Sequence, residues 1–167
     1  DKLTKIAGAV YDPNAKNLRF TRFVSEVMSG DTEKARFMQK SLGYGLTGDT
    51  RYECMFFYYG ATTRNGKGTL MESTLHVMGD YGLTVRPETI SAKPSANSQN
   101  PTEDIARLAG VRFANISEPR RGLVLNEAQI KSMTGNDTLN ARFLHENSFD
   151  FKPQFKLYVN TNYLPAI

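Results

Sequence analysis

The sequence has no tryptophan, a single cysteine and only two histidines among its 167 residues. Cys54 has no partner in the chain, so no internal disulfide staples the fold; next to a strongly apolar run it reads as a buried strand residue rather than a nucleophile. With so few sulfur and imidazole ligands a structural zinc site is not expected, and His76, inside a helix-like segment, has no cysteine or histidine nearby to share a metal. Also missing are an apolar run long enough to cross a bilayer and the layout of a signal peptide, so the chain reads as soluble, compatible with a reducing, cytoplasmic setting. A chain of this length buries roughly 70% of its unfolded surface in one domain without staples. It begins at Asp1 and ends on Tyr163-Leu164-Pro165-Ala166-Ile167, which suggests a fragment of a longer polypeptide.

What is present begins with charge. A formal +4 suits a polyanionic partner such as nucleotide or nucleic acid, although many soluble proteins carry as much. Two helices are expected in the first 49 residues as a lead-in. One opens at the Asp12-Pro13 cap and carries Phe20, Phe23, Val24, Val27 and Met28; the other opens at Asp31 and carries Phe37, Met38 and Leu42 before Gly43. The turn-rich stretch 45–49 marks the boundary to a core over 50–167. There, apolar strands are expected over 51–59, 83–90, 111–116 and 155–159. The aromatic run 55–59 should be covered on both faces, as in a parallel sheet. Helices are expected from Lys67 to Met78, after Thr102, and from the Asn126 cap with Gln129 three residues on. Ser91 to Pro101 reads as a mobile loop. Alternating strands and helices argue for an α/β fold with a mostly parallel sheet, whose ligands collect at the carboxyl ends of the strands.

One such end carries chemistry. Between the run ending at Tyr59 and the helix from Lys67 lies Gly60-Ala61-Thr62-Thr63-Arg64-Asn65-Gly66-Lys67-Gly68-Thr69. It resembles the phosphate-binding pattern G-x-x-x-x-G-K-[ST], in which backbone N–H groups curl around a polyphosphate and a lysine reaches its outer phosphates. Gly66 and Lys67 fit. The first glycine falls one residue early, at Gly60 rather than Ala61, and Gly68 stands where a hydroxyl is usual, with Thr69 next.

With NGKGT at 65–69 come LAGVRFANISEP at 108–119, LNEAQIKSMTGND at 125–137 and FDFKPQFKLYVNTNYLPAI at 149–167. In this order and spacing the chain from about Phe20 onward resembles the superfamily 3 helicase domain of phage and plasmid primase-helicases. The resemblance implies a P-loop NTPase-type sheet flanked by helices behind a short helical lead-in. It also implies an ATP- and Mg²⁺-dependent motor, usually a hexameric ring of identical subunits, moving on single-stranded DNA in the bacterial host cytoplasm.

By the same resemblance, Lys67 contacts the β- and γ-phosphates, Glu118 orients or deprotonates the attacking water and helps hold the metal, and Asn162 is the polar sensor beside the γ-phosphate, with Asn160 its rival. Thr69 is the hydroxyl nearest the metal position. Ala141 to Pro153 resembles a DNA-contacting hairpin, with strands at 142–144 and 149–151 and a tip at 145–148. His145 and Lys152 would touch phosphate and Phe149 would pack on a sugar or base, while Lys131 supports DNA or a neighbouring subunit. Plain structural roles compete with each. Lys67 can be a solvated lysine, Glu118 a cap or salt-bridge partner, the hairpin an exposed loop whose Glu146 and Asp150 repel phosphate, and Arg120 and Arg121 a solvated turn.

The family's arginine finger lies beyond the last sensor motif. The expectation is therefore a chain that binds ATP, hydrolyses it poorly and does not unwind DNA by itself. Two other readings stay open: a non-hydrolysing remnant that binds nucleotide or DNA and assembles with partners, and a small-molecule phosphotransferase, for which 91–101 offers few lid arginines.

Overall fold

A computed structural model describes residues 4–92, 102–117 and 119–166. Helix α1 (Leu18–Val27) starts at Asn17, whose side chain accepts the N–H of Phe20, and not at Asp12-Pro13. There the Asp12 side chain takes the N–H of Asn14 at 2.8 Å and its carbonyl that of Ala15. That single turn ends because residues 11–16 are all exposed and offer no apolar stripe to pack. Helix α2 (Thr32–Leu46) opens at Asp31, as expected, with the carboxylate accepting from Lys34 N–H at 3.0 Å.

The expected stop before Gly43 does not occur. Gly45 is buried inside α2, where a Cβ would come within 2.5 Å of the Tyr158 hydroxyl, and that hydroxyl donates to Ser41 O at 2.6 Å. The glycine gives the helix a close approach to the sheet, and this packing outweighs its low helix propensity.

The sheet consists of β1 (Met55–Tyr59), β2 (Gly82–Val85), β3 (Phe113–Ser117) and β6 (Lys156–Thr161), all parallel in the order β1-β6-β3-β2. Between them run α3 (Lys67–Met78), the one-turn α4 (Glu103–Ala106) and α5 (Glu127–Thr134), which starts on the expected Asn126 cap. Side chains alternate across the pleat. Leu157 and Val159 join Val85, Ile90, Leu108 and Ile116 in one core; Tyr158 joins Phe113, Met38, Leu70, Met71 and Met78 in the other. Tyr158 stacks on Phe113 at 4.0 Å and on Phe56 at 5.1 Å between ring centroids. The fold is therefore α/β, with a parallel sheet, flanking helices and a helical lead-in.

Two expectations are corrected. The run 55–59 is not covered on both faces, because β1 is a sheet edge: Phe56 and Tyr58 pack on the α2–α3 side, while Phe57 and Tyr59 remain 38% and 51% exposed. The hairpin is also shifted. Strand β4 is Leu139–Ala141, paired antiparallel with β5 (Phe149–Phe151), so Arg142-Phe143-Leu144 belongs to the tip. Burial decides this register, since Leu139 and Ala141 enter the core while Leu144 stays outside. The stretch expected to be a mobile loop lies outside the described residues from 93 onward; Ala92 before it bonds Val124 O.

At the amino end of β6, Lys156 is only 2% exposed. Its ammonium donates to Thr47 O, Asp49 O and Gln154 O, clasping the chain where it leaves α2. Burial pulls its pKa down to about 8.

Candidate nucleotide site

The carboxyl ends of β1 and β6 lie side by side, and Gly60 N–H extends their ladder by one bond to Thr161 O at 3.2 Å. The chain then reverses over 61–65 and enters α3 through Gly66. This glycine sits in the left-handed region at φ +85°, and Arg64 precedes it at φ +55°. A Cβ on Gly66 would come within 2.5 Å of Val27 Cγ1 and 3.1 Å of Phe23, so α1 of the lead-in presses on the back of the loop. A Cβ on Gly60 would meet Asn65 Nδ2 at 2.3 Å. Gly66 is thus demanded by its left-handed backbone, while at Gly60 the atom in the way is the end of the Asn65 side chain, which can move.

No side chain caps α3. The first intrahelical N–H bond is from Leu70 to Gly66 O, so the N–H groups of Gly68 and Thr69 make no bond within the helix. With the positive end of the helix dipole, they form an anion-binding end.

Lys67 folds back over this end. Its Nζ lies 2.6 Å from Asn162 Oδ1, 3.0 Å from Asn65 Oδ1, 3.2 Å from Gly60 O and 3.4 Å from Thr62 O. Asn65 is itself tied to Thr62 O at 2.8 Å. The pair Lys67 and Asn162 is separated by 95 residues in sequence and meets because β6 is the neighbour of β1. Asn160, its rival, is buried in β6 opposite Tyr58 and Ser117. Ala61, Thr62, Thr63, Arg64, Gly68 and Thr69 are all exposed around the lysine. A Cβ at Gly68 would touch nothing within 4 Å; space alone does not require glycine there. Glu118 lies outside the described residues.

The hairpin residues are arranged differently. His145, at φ +64°, and Lys152 are exposed. Phe149 is half-buried between Phe143 and Phe151, with centroids at 6.0 and 5.8 Å, and packs on the core. Asp150 accepts from Asn140 at 2.7 Å. Lys131 is exposed on α5 and pairs with Glu127 at 3.7 Å, and Arg121 stands over the Tyr163 ring at 5.7 Å.

Sequence reasoning missed two contributors: Phe23 and Val27 as the backing of Gly66, and the buried Asn115, whose Nδ2 donates to Ser117 Oγ at 2.8 Å. Asn115 sits inside the FANISEP motif, and a polar residue in an otherwise apolar strand was the signal available.

No family model matches the chain. It is 35% identical over 142 residues to "Putative helicase 022R" of Frog virus 3 (isolate Goorha), which is 82% of this chain and 14% of that protein. It is 32% identical over 118 residues to "Putative helicase L207/L206" of Acanthamoeba polyphaga mimivirus, which is 71% of this chain and 12% of that protein. The chain thus spans about a seventh or less of the length of these relatives. Among solved structures, two apo forms of the NrS-1 C terminal region share its fold with TM-scores of 0.70 and 0.64 at 11% and 10% identity. They cover 95% and 93% of this chain and 36% of each of those chains. The chain therefore belongs to the family of these helicase-named viral proteins.

Proposed function

We propose that the chain is the ATP-binding core of a superfamily 3-type DNA helicase, acting as a homo-oligomeric ring on single-stranded DNA during replication of viral or other mobile DNA, the phage or plasmid setting included. Residues 1–49 are its lead-in and 50–167 its ATPase core. The observation that carries this reading is the convergence of Lys67 and Asn162 over a helix start that enters through Gly66 in the left-handed region at φ +85°. The helicase-named relatives favour a motor over a small-molecule phosphotransferase.

The residues present fit a nucleotide polyphosphate. The carbonyls of Gly60 and Thr62, with Asn65 Oδ1, hold the ammonium at the mouth of the loop. These neutral acceptors can give way to phosphate oxygens, which bind the ammonium more strongly because the hydrogen bond is then charge-assisted on both sides. The Lys67 ammonium and the N–H groups of Gly68 and Thr69 would draw charge from the outer phosphates. Asn162 would place water at the γ-phosphate, and Glu118 would accept the proton of the attacking water. Thr69 and Glu118 would hold Mg²⁺, which supplies charge neutralisation across the phosphates when bound. On the hairpin, His145 and Lys152 would meet phosphate and Phe149 would support the turn from beneath, with Lys131 a further basic contact.

Titration with a fluorescent ATP analogue and Mg²⁺ tests the core of this reading. The wild type binds and Lys67→Ala loses about 10- to 100-fold in affinity, the range for a hydrogen bond to a charged group. Equal affinity in the two proteins would sink it.

A further inference from the structure

We propose that Asn115, Ser117 and Asn160 form a polar floor under the phosphate loop that holds ordered water and positions the hydrolytic end of the site. The proposal rests on the nucleotide reading above. The sheet register places the floor. On the face covered by α3, Lys67 contacts Gly60 and Asn162, the groups just beyond the ends of β1 and β6. One step down on that face, Tyr58, Asn160 and Ser117 lie in register across β1, β6 and β3, with Asn115 paired to Tyr158 in the step below. The floor is thus the layer directly beneath the lysine and its sensor.

This layer has unmet hydrogen-bonding capacity. Asn115 is 3% exposed, and its Oδ1 is buried with no partner. Its amide has one side-chain contact, the 2.8 Å bond to Ser117 Oγ. Whichever way that amide is turned, one of its two polar atoms is left over. Asn160 is 6% exposed and no described residue bonds its amide, but of this layer only Asn115 Oδ1 is a fully buried atom without a partner. Tyr58, the remaining member of the row, is engaged with Ser41 at 2.6 Å. Two buried amides and a hydroxyl in adjoining positions supply the two to four polar partners that a buried water needs, and buried polar atoms without protein partners are usually met by such water.

A water held there links the end of β3 to the layer of Lys67 and Asn162. Asn115, Ser117 and Asn160 would then be positioning residues: they set the orientation of the groups around the attacking water without touching the nucleotide themselves. The opposite face, with Ile116, Leu157 and Val159, is apolar and fully buried, so no sheet-wide need for polarity explains asparagine at 115.

Two measurements test this. The first, on the wild type without nucleotide, is water-to-side-chain-amide cross-relaxation by NMR. The Asn115 and Asn160 NH₂ groups should show contact with long-lived water, and amides that see none would overturn the floor whatever the chain binds. The second compares Ser117→Ala and Asn160→Leu with Ser117→Thr. We expect ATP-analogue affinity and melting temperature within about 3-fold and about 3 °C of wild type, single-turnover hydrolysis reduced 10- to 100-fold, and recovery in Ser117→Thr. Unchanged hydrolysis, or affinity, melting and hydrolysis falling together, would refute the positioning role. If the wild type binds no nucleotide and equals Lys67→Ala, the nucleotide reading has failed, and the NMR result still decides the floor.

Discussion

The 60–69 loop, proposed to bind phosphate, and the β4–β5 hairpin are both turns between short elements, yet they are built in opposite ways. The loop joins an edge strand to a helix, is backed by Phe23 and Val27, and folds its lysine onto four oxygen acceptors. The hairpin tip at 142–148 has its one Phe, Phe143, packed on the core and its charges at the surface, acids among them. Where elements converge, water is partly excluded and each polar contact counts for more; at an exposed tip the same charges are screened. A defined chemical site is therefore expected at the loop and a weaker, salt-sensitive contact at the hairpin.

The largest effect that separates the two regions should come from Asn162→Ala. It should lower single-turnover hydrolysis by about 100- to 1000-fold, as for other single polar groups acting on the reacting end, and leave DNA affinity alone. A variant that instead fails to bind DNA would merge the two regions. Next, Gly66→Ala puts a side chain at φ +85° against Val27 and should cost about 1 to 3 kcal/mol in a urea titration. Pairing it with Val27→Ala should return part of that cost, which isolates the backing of the loop from its own strain.

The third test uses the far end of β6. Lys156 has a folded pKa of about 8 against 10.5 for the free group. Between these values the unfolded chain binds more protons, so stability should rise with pH above 8, by on the order of 2 to 4 kcal/mol if the whole window were available. The buried Tyr58 and Tyr158 hydroxyls, whose pKa values burial raises, act in the opposite direction above about pH 10. The gain should therefore be read between about 8 and 10, and Lys156→Met should abolish it. Finally, His145→Ala and Lys152→Ala should each change single-stranded DNA affinity by only about 2- to 5-fold. Removing one lysine–phosphate ion pair should reduce the salt dependence by about 0.7 in log–log slope; a 100-fold weakening from either substitution would make the hairpin the more specific of the two regions.

Strong local signals in the sequence carry through to the structure. The helix from Lys67 to Met78, the Asp31 and Asn126 caps and the alternation of strands and helices are all present. The sequence misleads where contacts distant along the chain settle the outcome. Gly43 and Gly45 suggest a helix end, but Tyr158 packs against Gly45 and bonds Ser41 O, and α2 runs on to Leu46. Met55 to Tyr59 suggests a doubly covered strand, but the strand order puts it at an edge. The hairpin register is illegible because three-residue strands carry little periodicity, and the burial of Leu139 and Ala141 decides it.

By itself the sequence determined the α/β class, the turn that joins β1 to α3, and the residue types a phosphate loop needs, because glycine conformations, caps and apolar periods act within a few residues. The tertiary structure alone decided that β6 lies beside β1, bringing Asn162 to Lys67 across 95 positions, and that Asn115 and Asn160 are buried polar groups beneath them. Strand order and burial depend on which faces pack together, and those are properties of the whole sheet rather than of any one segment.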